Sequence, residues 1–230
     1  MKRVRKIRIW DHRYWPLAGL PFAVWLTFSG CSLMVDSNPP AATPSPDVRS
    51  YYLPLTANNV EYVYTVTSTA PYHPSNGQLA MSMQGNTDTF QNMPVYACLW
   101  TYGNNYGTPS QWYYALCDSQ ATLLGLEPMQ DHYTDSWIDL KADSTHPLQL
   151  NATWSFQSQG EQITAKVVGY GSQAKVEGQT YTNVMMVQYT GVNGTTCTEW
   201  FAKGVGPIFY HIERPNFGMV ENHLLSIKQR

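Results

Sequence analysis

The sequence predicts an all-β protein, either an antiparallel sandwich or a curved half-barrel. Three observations support this class: apolar and aromatic residues alternate with polar ones through most of the chain after Tyr51, the turns between these runs are short and polar, and long helical periods are missing. Aromatic and charged residues each make up 13% of the chain, a composition that suits half-buried strands. We expect about eight to ten strands.

The amino-terminal segment has the order of parts of a secretory signal. Its first fifteen residues carry six basic side chains and the single acid Asp11. An uncharged apolar run then extends from Pro16 to Gly30 and stops at Cys31. This order predicts that residues 1–30 form a signal peptide and that the rest of the chain leaves the cytoplasm.

The residues Phe28, Ser29, Gly30 and Cys31 resemble the lipobox of bacterial lipoproteins. The resemblance implies that Cys31 receives a diacylglycerol thioether, that the signal peptide is removed, and that fatty acids such as palmitate then anchor the protein in a membrane. Two or three acyl chains, at about 0.8 kcal/mol per buried CH₂, bind durably. Ser32, where an Asp would retain an enteric lipoprotein in the inner membrane, favours the outer membrane. The alternatives are an uncleaved membrane helix over residues 14–35 and a soluble secreted form.

Cleavage before Cys31 would leave eight basic and fifteen acidic residues. This balance argues against nucleic acid as a partner, because nucleic acid is bound through basic surface. Residues 31–50 are rich in proline and serine and predict an extended tether, with a packed terminal arm as the alternative. Residues 51–230 then form a single β-rich domain.

The strands follow one another in order along this domain. VEYVYTVTST is a strong strand, PYHPSNG is a turn, and QLAMSMQG is a second strand. VYACLWTYG and SQWYYALC frame the loop GNNYGTP as a hairpin. Residues 128–142 are the least strand-like and allow at most one short helix. Further strands are expected in NATWSFQSQ, ITAKVVGYG, TYTNVMMVQYTG, TTCTEWFAKGVGPIFYHI and VENHLLSIKQ.

Three cysteines remain in the domain. The hairpin brings Cys98 near Cys117, and an oxidising compartment favours a disulfide between them. Cys197 is an alternative partner for either, and the sequence leaves the three single-bridge choices open.

Short motifs add a second resemblance. YYLPLTANNVEYVY, EGQTYTNVMMVQY and EWFAKGVGPIFY are similar to segments of a group of poorly characterised secreted bacterial lipoproteins. Their domains begin with an aromatic-Pro-Leu segment before the first strand and end in two strands that close on a Gly-Val-Gly turn. The resemblance implies an all-β lipoprotein and brings no reaction with it.

Motifs for catalysis or metal binding are weak. Asp131, Asp135 and Asp139 recur every four residues and are weak candidates for a hard cation, although a calcium-loop pattern is missing. The histidines are scattered and no nucleophile elbow exists, so we assign no catalytic residue and no cofactor. The glycines of AKGVGP predict a tight strand turn and no phosphate cradle.

The aromatic hairpin is the best candidate for binding. Exposed aromatic side chains among polar residues form adaptable surfaces for protein or glycan; the candidates are Trp100, Tyr102, Tyr106, Trp112 and Tyr114. The sequence therefore favours a membrane-anchored lipoprotein of the bacterial envelope that binds or assembles with another envelope component without catalysis. The alternatives are a carrier that holds an acyl chain or lipid in a concave sheet, and an envelope hydrolase.

Overall fold

The computed structural model describes residues 32–35, 48–52, 60–70, 76–103, 109–127, 132–142, 148–158 and 160–229. Within these ranges the chain forms thirteen β-strands and one short 3-10 turn, Val48–Tyr51. The strands are β1 (Ser32–Val35), β2 (Val60–Ser68), β3 (Asn76–Phe90), β4 (Met93–Tyr102), β5 (Ser110–Leu116), β6 (Gln120–Glu127), β7 (His132–Lys141), β8 (Thr153–Ser158), β9 (Glu161–Val176), β10 (Gln179–Gly191), β11 (Thr196–Ala202), β12 (Gly206–Arg214) and β13 (Gly218–Gln229). The all-β prediction is confirmed.

All strand pairs are antiparallel, and the strands form one sheet in the order β1-β9-β10-β11-β12-β13-β2-β3-β4-β5-β6-β7, with β8 also paired to β9. The pairing of β13 with β2 joins the end of the chain to the first strand of the domain. Consecutive strands pair directly from β2 to β7 and from β8 to β13, which is the simplest connection for short turns, whereas β1 pairs with β9.

The sheet curves until β7 lies against β8, the strand paired to β9 near the other end of the sheet. The sheet is therefore nearly closed, like a barrel. The indole Nε1 of Trp154 on β8 donates to the carbonyl oxygen of Ile138 on β7 at 3.0 Å. The ring centroids of Trp137 and Phe156 lie 5.2 Å apart across the same junction. Side chains on one face of the strands from β2 to β13 therefore point into a common interior, where the main apolar core lies.

The segment that precedes the domain is packed where the structure describes it. Ser32–Val35 pair with β9, with Ser32 opposite Lys175. The amide of Val48 donates to the carbonyl oxygen of Asp118 at 2.9 Å, and Val48 is fully buried. The tether over residues 31–50 stays a prediction, with a packed terminal arm as its alternative; residues 36–47 lie outside the described part.

The least strand-like stretch, for which a short helix was allowed, forms β7 across residues 132–141. Its backbone pairs with β6, and its residues Trp137 to Leu140 are all buried. Burial against the barrel interior overrides the weak strand signal of the sequence. Within the described ranges, no helix has the length and apolar character needed to cross a membrane.

The hairpin of β4 and β5 has a different register from the one that the disulfide requires. Cys98 lies opposite Trp112, and Cys117 follows the end of β5. Cys98 is buried in the main core, whereas Cys117 packs on the other face with a small cluster that includes Val95 and Ala115. The expected pairing of Cys98 with Cys117 is not formed, and both are free thiols, as is Cys197.

Candidate functional site

The interior of the sheet contains a cavity of about 410 Å³. Its wall is formed by inward-facing side chains of most strands between β2 and β13, together with Tyr52 from the segment before β2. The lining is largely aromatic and aliphatic: Tyr52, Tyr64, Leu79, Met81, Trp100, Tyr102, Trp112, Tyr114, Leu123, Trp137, Pro207, Tyr210, Ile212, Phe217 and Val220, with the polar residues Asp139, Ser158, Glu199, Arg214 and Asn222. A volume of this size lies in the range of small-molecule pockets.

Four of the five aromatic residues that the sequence singled out line this cavity: Trp100, Tyr102, Trp112 and Tyr114. They face inward, because alternate residues of β4 and β5 share one face of the sheet. The rings of Trp100 and Trp112 lie 4.9 Å apart, and Tyr114 is buried. Trp100, Tyr102 and Trp112 are half-buried in this wall. A binding role for the aromatic residues stays a prediction, and Tyr106 lies outside the described residues.

One end of the cavity is closed by residues 48–52, the described segment before β2. Tyr52 is buried and its ring lies 5.7 Å from that of Tyr114. The amide of Gly204 donates to the carbonyl oxygen of Ser50 at 2.5 Å, which fastens this segment to the turn between β11 and β12. The segment thus forms a floor for the cavity.

The opposite end is near the turn between β12 and β13. Phe217 lines the cavity and is 40% exposed, and Arg214 lines the same region at the end of β12. The cavity therefore reaches solvent beside this turn, at the other end of the strands from the floor.

Two carboxyl groups lie on the buried part of the wall. Asp139 on β7 and Glu199 on β11 are only 7% and 6% exposed. The hydroxyl of Tyr52 donates to Asp139 Oδ2 at 2.5 Å. The hydroxyl of Tyr189 lies 2.8 Å from Glu199 Oε2 and 2.6 Å from the carbonyl oxygen of Asp139.

Burial raises the pKa of both acids. The pKa of Asp139 rises to about 7 because the carboxylate is desolvated, although the Tyr52 hydrogen bond opposes the rise. The pKa of Glu199 is well above its usual value because of desolvation and then the charge of Asp139. The geometry around Tyr189 fits a protonated Glu199, because the hydroxyl has one proton: it can accept from Glu199 and donate to the Asp139 carbonyl.

This acid pair was not found from the sequence. Asp139 was a weak candidate for metal binding with Asp131 and Asp135, but Asp131 lies outside the described residues and the side chain of Asp135 is not described. Glu199 lies in TTCTEWFAKGVGPIFYHI, where the sequence predicted only strands and a turn. Its position between the inward-facing Cys197 and Phe201 was the available signal, since a charged residue in an apolar alternation points to a buried carboxyl group. Among the described residues, no three His, Cys, Asp or Glu side chains form a group that could bind a metal ion.

The two histidines of the carboxyl-terminal strands lie on the outer face of the sheet. His211 Nδ1 is 3.0 Å from Glu221 Oε2, and His223 Nε2 is 2.7 Å from Glu221 Oε1. Glu177, from the turn between β9 and β10, approaches His223 Nδ1 at 3.3 Å. Both nitrogens of His223 thus face carboxylates, and the cluster is a hydrogen-bonded network on the outside of the sheet.

The remaining predicted positions divide into two groups. The turn in AKGVGP is confirmed: β11 ends at Ala202, β12 begins at Gly206, and Gly204 and Gly206 have positive φ angles of 77° and 109°. The lipobox residues Phe28, Ser29, Gly30 and Cys31 lie outside the described residues.

Comparisons with known proteins give no family. No protein-family description matches the chain, and no curated protein matches it. Two solved structures are similar in shape. One is a protein thought to be exported, with a YmcC-like fold, from Bacteroides fragilis NCTC 9343: the identity is 9%, the match covers 78% of this chain and 100% of that one, and the TM-score is 0.48. The other is a protein thought to be a lipoprotein, from Parabacteroides distasonis ATCC 8503, with 8% identity, coverage of 77% and 98%, and a TM-score of 0.40. Similarity at this level does not identify a common function, so the function must be argued from this chain's own residues.

Proposed function

We propose that this protein is a lipid-anchored, non-catalytic component of the bacterial cell envelope that binds an amphiphilic small molecule inside its curved sheet. The observation that carries the proposal is the interior cavity of about 410 Å³, walled by aromatic and aliphatic side chains. Pockets with an apolar wall and a few convergent polar groups are typical of small-molecule sites. The carrier hypothesis explains this cavity, whereas a protein that only docks to a partner does not require one.

The shape of the cavity supports binding of a molecule that enters by one end. The floor at Tyr52 is buried, and the half-exposed Phe217 marks the open end. A ligand would place its apolar part between the aromatic walls, where about 25 cal/mol is gained per Å² of apolar surface removed from water. Indole and phenol rings also add favourable stacking contacts.

The binding proposal is tested with a fluorescent fatty-amine or fatty-alcohol probe and a variant that fills the cavity. Leu123 lines the cavity and is half-buried, so Leu123→Trp should weaken probe binding by at least about tenfold, as expected when bulk occupies the ligand's volume. Ile227→Trp is the matched control, because Ile227 is 45% exposed and is not part of the cavity wall. Saturable binding that is lost in the first variant and kept in the second supports the proposal.

Native mass spectrometry of protein extracted from membranes provides an independent check. Retained small molecules that disappear in Leu123→Trp support a carrier. A protein that carries nothing and binds no probe would contradict the proposal and favour the docking hypothesis.

The proposed anchor requires its own measurement. The intact mass of the membrane-extracted protein is compared with that of a Cys31→Ala variant. Removal of residues 1–30 together with an added acylated glycerol, both missing in the variant, supports the anchor. An unprocessed chain without lipid would instead favour a membrane helix over residues 14–35.

A further inference from the structure

Two polar atoms of the cavity wall are buried without a hydrogen bond. The indole Nε1 of Trp137 on β7 and the amide Oδ1 of Asn222 on β13 have no hydrogen-bond partner among the described residues, and both residues line the cavity. The whole of Trp137 is only 7% exposed. A buried polar group without a partner is costly, so each atom marks a position where a ligand group that completes the hydrogen bond would be stabilised.

The two atoms require opposite partners. An indole N–H only donates, so Trp137 requires an acceptor oxygen, whereas the amide oxygen of Asn222 requires a donor such as a hydroxyl group. Five strands lie between β13 and β7 along the sheet, so the two side chains reach the cavity from different sides. A third unpaired atom of the wall, Trp100 Nε1, has the sulfur of Cys98 nearby as a weak acceptor, which leaves Trp137 as the clearer donor.

The chemistry of the wall disfavours an ionised head group. An ammonium group has no acceptor and cannot pair with Trp137 Nε1. A carboxylate can accept, but its desolvated charge would share the cavity with Asp139 and Glu199, and like charges in a desolvated site repel each other. The cationic Arg214 also lines the cavity, but its charge already interacts with that of Glu161. An uncharged head group meets none of these obstacles.

We propose that the cavity recognises an uncharged amphiphile whose head group combines an ester or carbonyl oxygen with a hydroxyl group, as a monoacylglycerol does. Trp137 Nε1 would donate to the carbonyl oxygen, and the ligand hydroxyl would donate to Asn222 Oδ1. Both atoms have almost no exposed surface, so binding requires a small rotation of each side chain, a kind of change that is common on binding. This inference rests on the proposed function and specifies the chemical class of its ligand.

The test compares three probes with the same chain length: 1-monooctanoylglycerol, methyl octanoate and octylamine. Binding to the full-length protein is measured by isothermal titration calorimetry at pH 7. Because any apolar pocket prefers uncharged molecules, the assignment is decided by variants. Trp137→Phe removes the donor and should weaken binding of both esters by about tenfold, while octylamine, which has no acceptor, changes by less than about twofold.

Trp200→Phe is the matched control for this variant. Trp200 Nε1 is also buried without a hydrogen bond among the described residues, but Trp200 is not part of the cavity wall. The same loss of an indole N–H should therefore leave the affinity of all three probes unchanged. Equal weakening by the two variants, or unchanged ester binding in Trp137→Phe, would overturn the inference.

Asn222→Leu tests the second contact. It should weaken binding of 1-monooctanoylglycerol by about tenfold and leave methyl octanoate unchanged, because methyl octanoate has no hydroxyl group to donate. Unchanged binding of 1-monooctanoylglycerol, or equal weakening of both esters, would contradict the assigned role of Asn222.

A measurement on the unmodified protein does not depend on how the variants fold. In proton–nitrogen correlation spectra, 1-monooctanoylglycerol should move the indole N–H signal of Trp137 downfield, as a new acceptor does. The signal of Trp154, which already donates to the carbonyl oxygen of Ile138, should stay in place. Saturable probe binding without the Trp137 shift removes only the inference, whereas the failure of every probe to bind removes the proposed function as well.

Discussion

Replacing Asp139 by asparagine should change how the stability of the fold depends on pH. Burial raises the pKa of this carboxyl group from 3.8 to about 7, so the folded state binds the proton more tightly than the unfolded state does. The sign follows from linkage: the favourable contribution is complete below about pH 4 and is lost as the pH rises through about 7. The wild-type protein is therefore destabilised at neutral and basic pH by its own buried acid.

The magnitude follows from the change in pKa. At about 1.4 kcal/mol per pKa unit, a rise from 3.8 to about 7 corresponds to about 4 kcal/mol of unfolding free energy in total. About 3 kcal/mol of this should be lost between pH 5 and pH 8. An asparagine side chain at this position is neutral at every pH and removes this part of the dependence, while its amide oxygen can still accept from the Tyr52 hydroxyl.

The assay is urea unfolding followed by tryptophan fluorescence at pH 5, 6, 7 and 8, for wild type and Asp139→Asn. The difference in unfolding free energy between the two proteins should change by about 3 kcal/mol across this range in favour of the variant. Tyr52→Phe is the control in the other direction, because loss of its hydrogen bond raises the pKa further and steepens the dependence. Parallel pH profiles of wild type and Asp139→Asn would refute the assignment of a buried, neutral acid at this position.

Three further predictions concern other parts of the sheet. In Gly191→Ala, the new Cβ would meet the Glu161 carboxylate and displace it from its hydrogen bonds with Asn193 and Thr195. Chemical denaturation should show a loss of about 1–2 kcal/mol of unfolding free energy. Gly169→Ala should change it little, because the new Cβ there meets only a flexible methionine. Burial raises the pKa of the Cys98 thiol to about 12. A thiol reagent at pH 8 should therefore label the half-buried Cys117 first and Cys98 only after unfolding. If neither cysteine is labelled before reduction, the two form a disulfide and the prediction is wrong. Hydrogen bonds from His211 and His223 lower the pKa of Glu221 to about 2. The stabilising contribution of Glu221 is therefore present at neutral pH and lost as the pH falls from about 4.5 towards 2. In urea unfolding, Glu221→Gln should lose about 1 kcal/mol of unfolding free energy at pH 7 and match the wild type in acid.

The strand content was predictable because it depends on local alternation. Six of the nine residues of β2 are buried, and its β-branched and aromatic residues favour strand conformation whatever the partner strand is. The tight turn around Gly204 was predictable for the same reason, since a positive φ is cheap only for glycine. Residues 132–141 were less predictable, because their strand conformation depends on pairing with β6.

The sequence by itself determined the all-β class of the fold, the antiparallel arrangement of its strands and the identity of the aromatic residues of the candidate site. Only the tertiary structure decided that Trp100 and Trp112 line an interior cavity, and that Asp139 and Glu199 lie on the same wall although sixty residues separate them in the chain. The physical reason is that alternation fixes which side chains share a face, whereas the curvature of the sheet and the closure of β7 against β8 decide whether that face becomes a surface or an interior. Curvature depends on bulges and long-range pairing, which no short stretch of sequence contains.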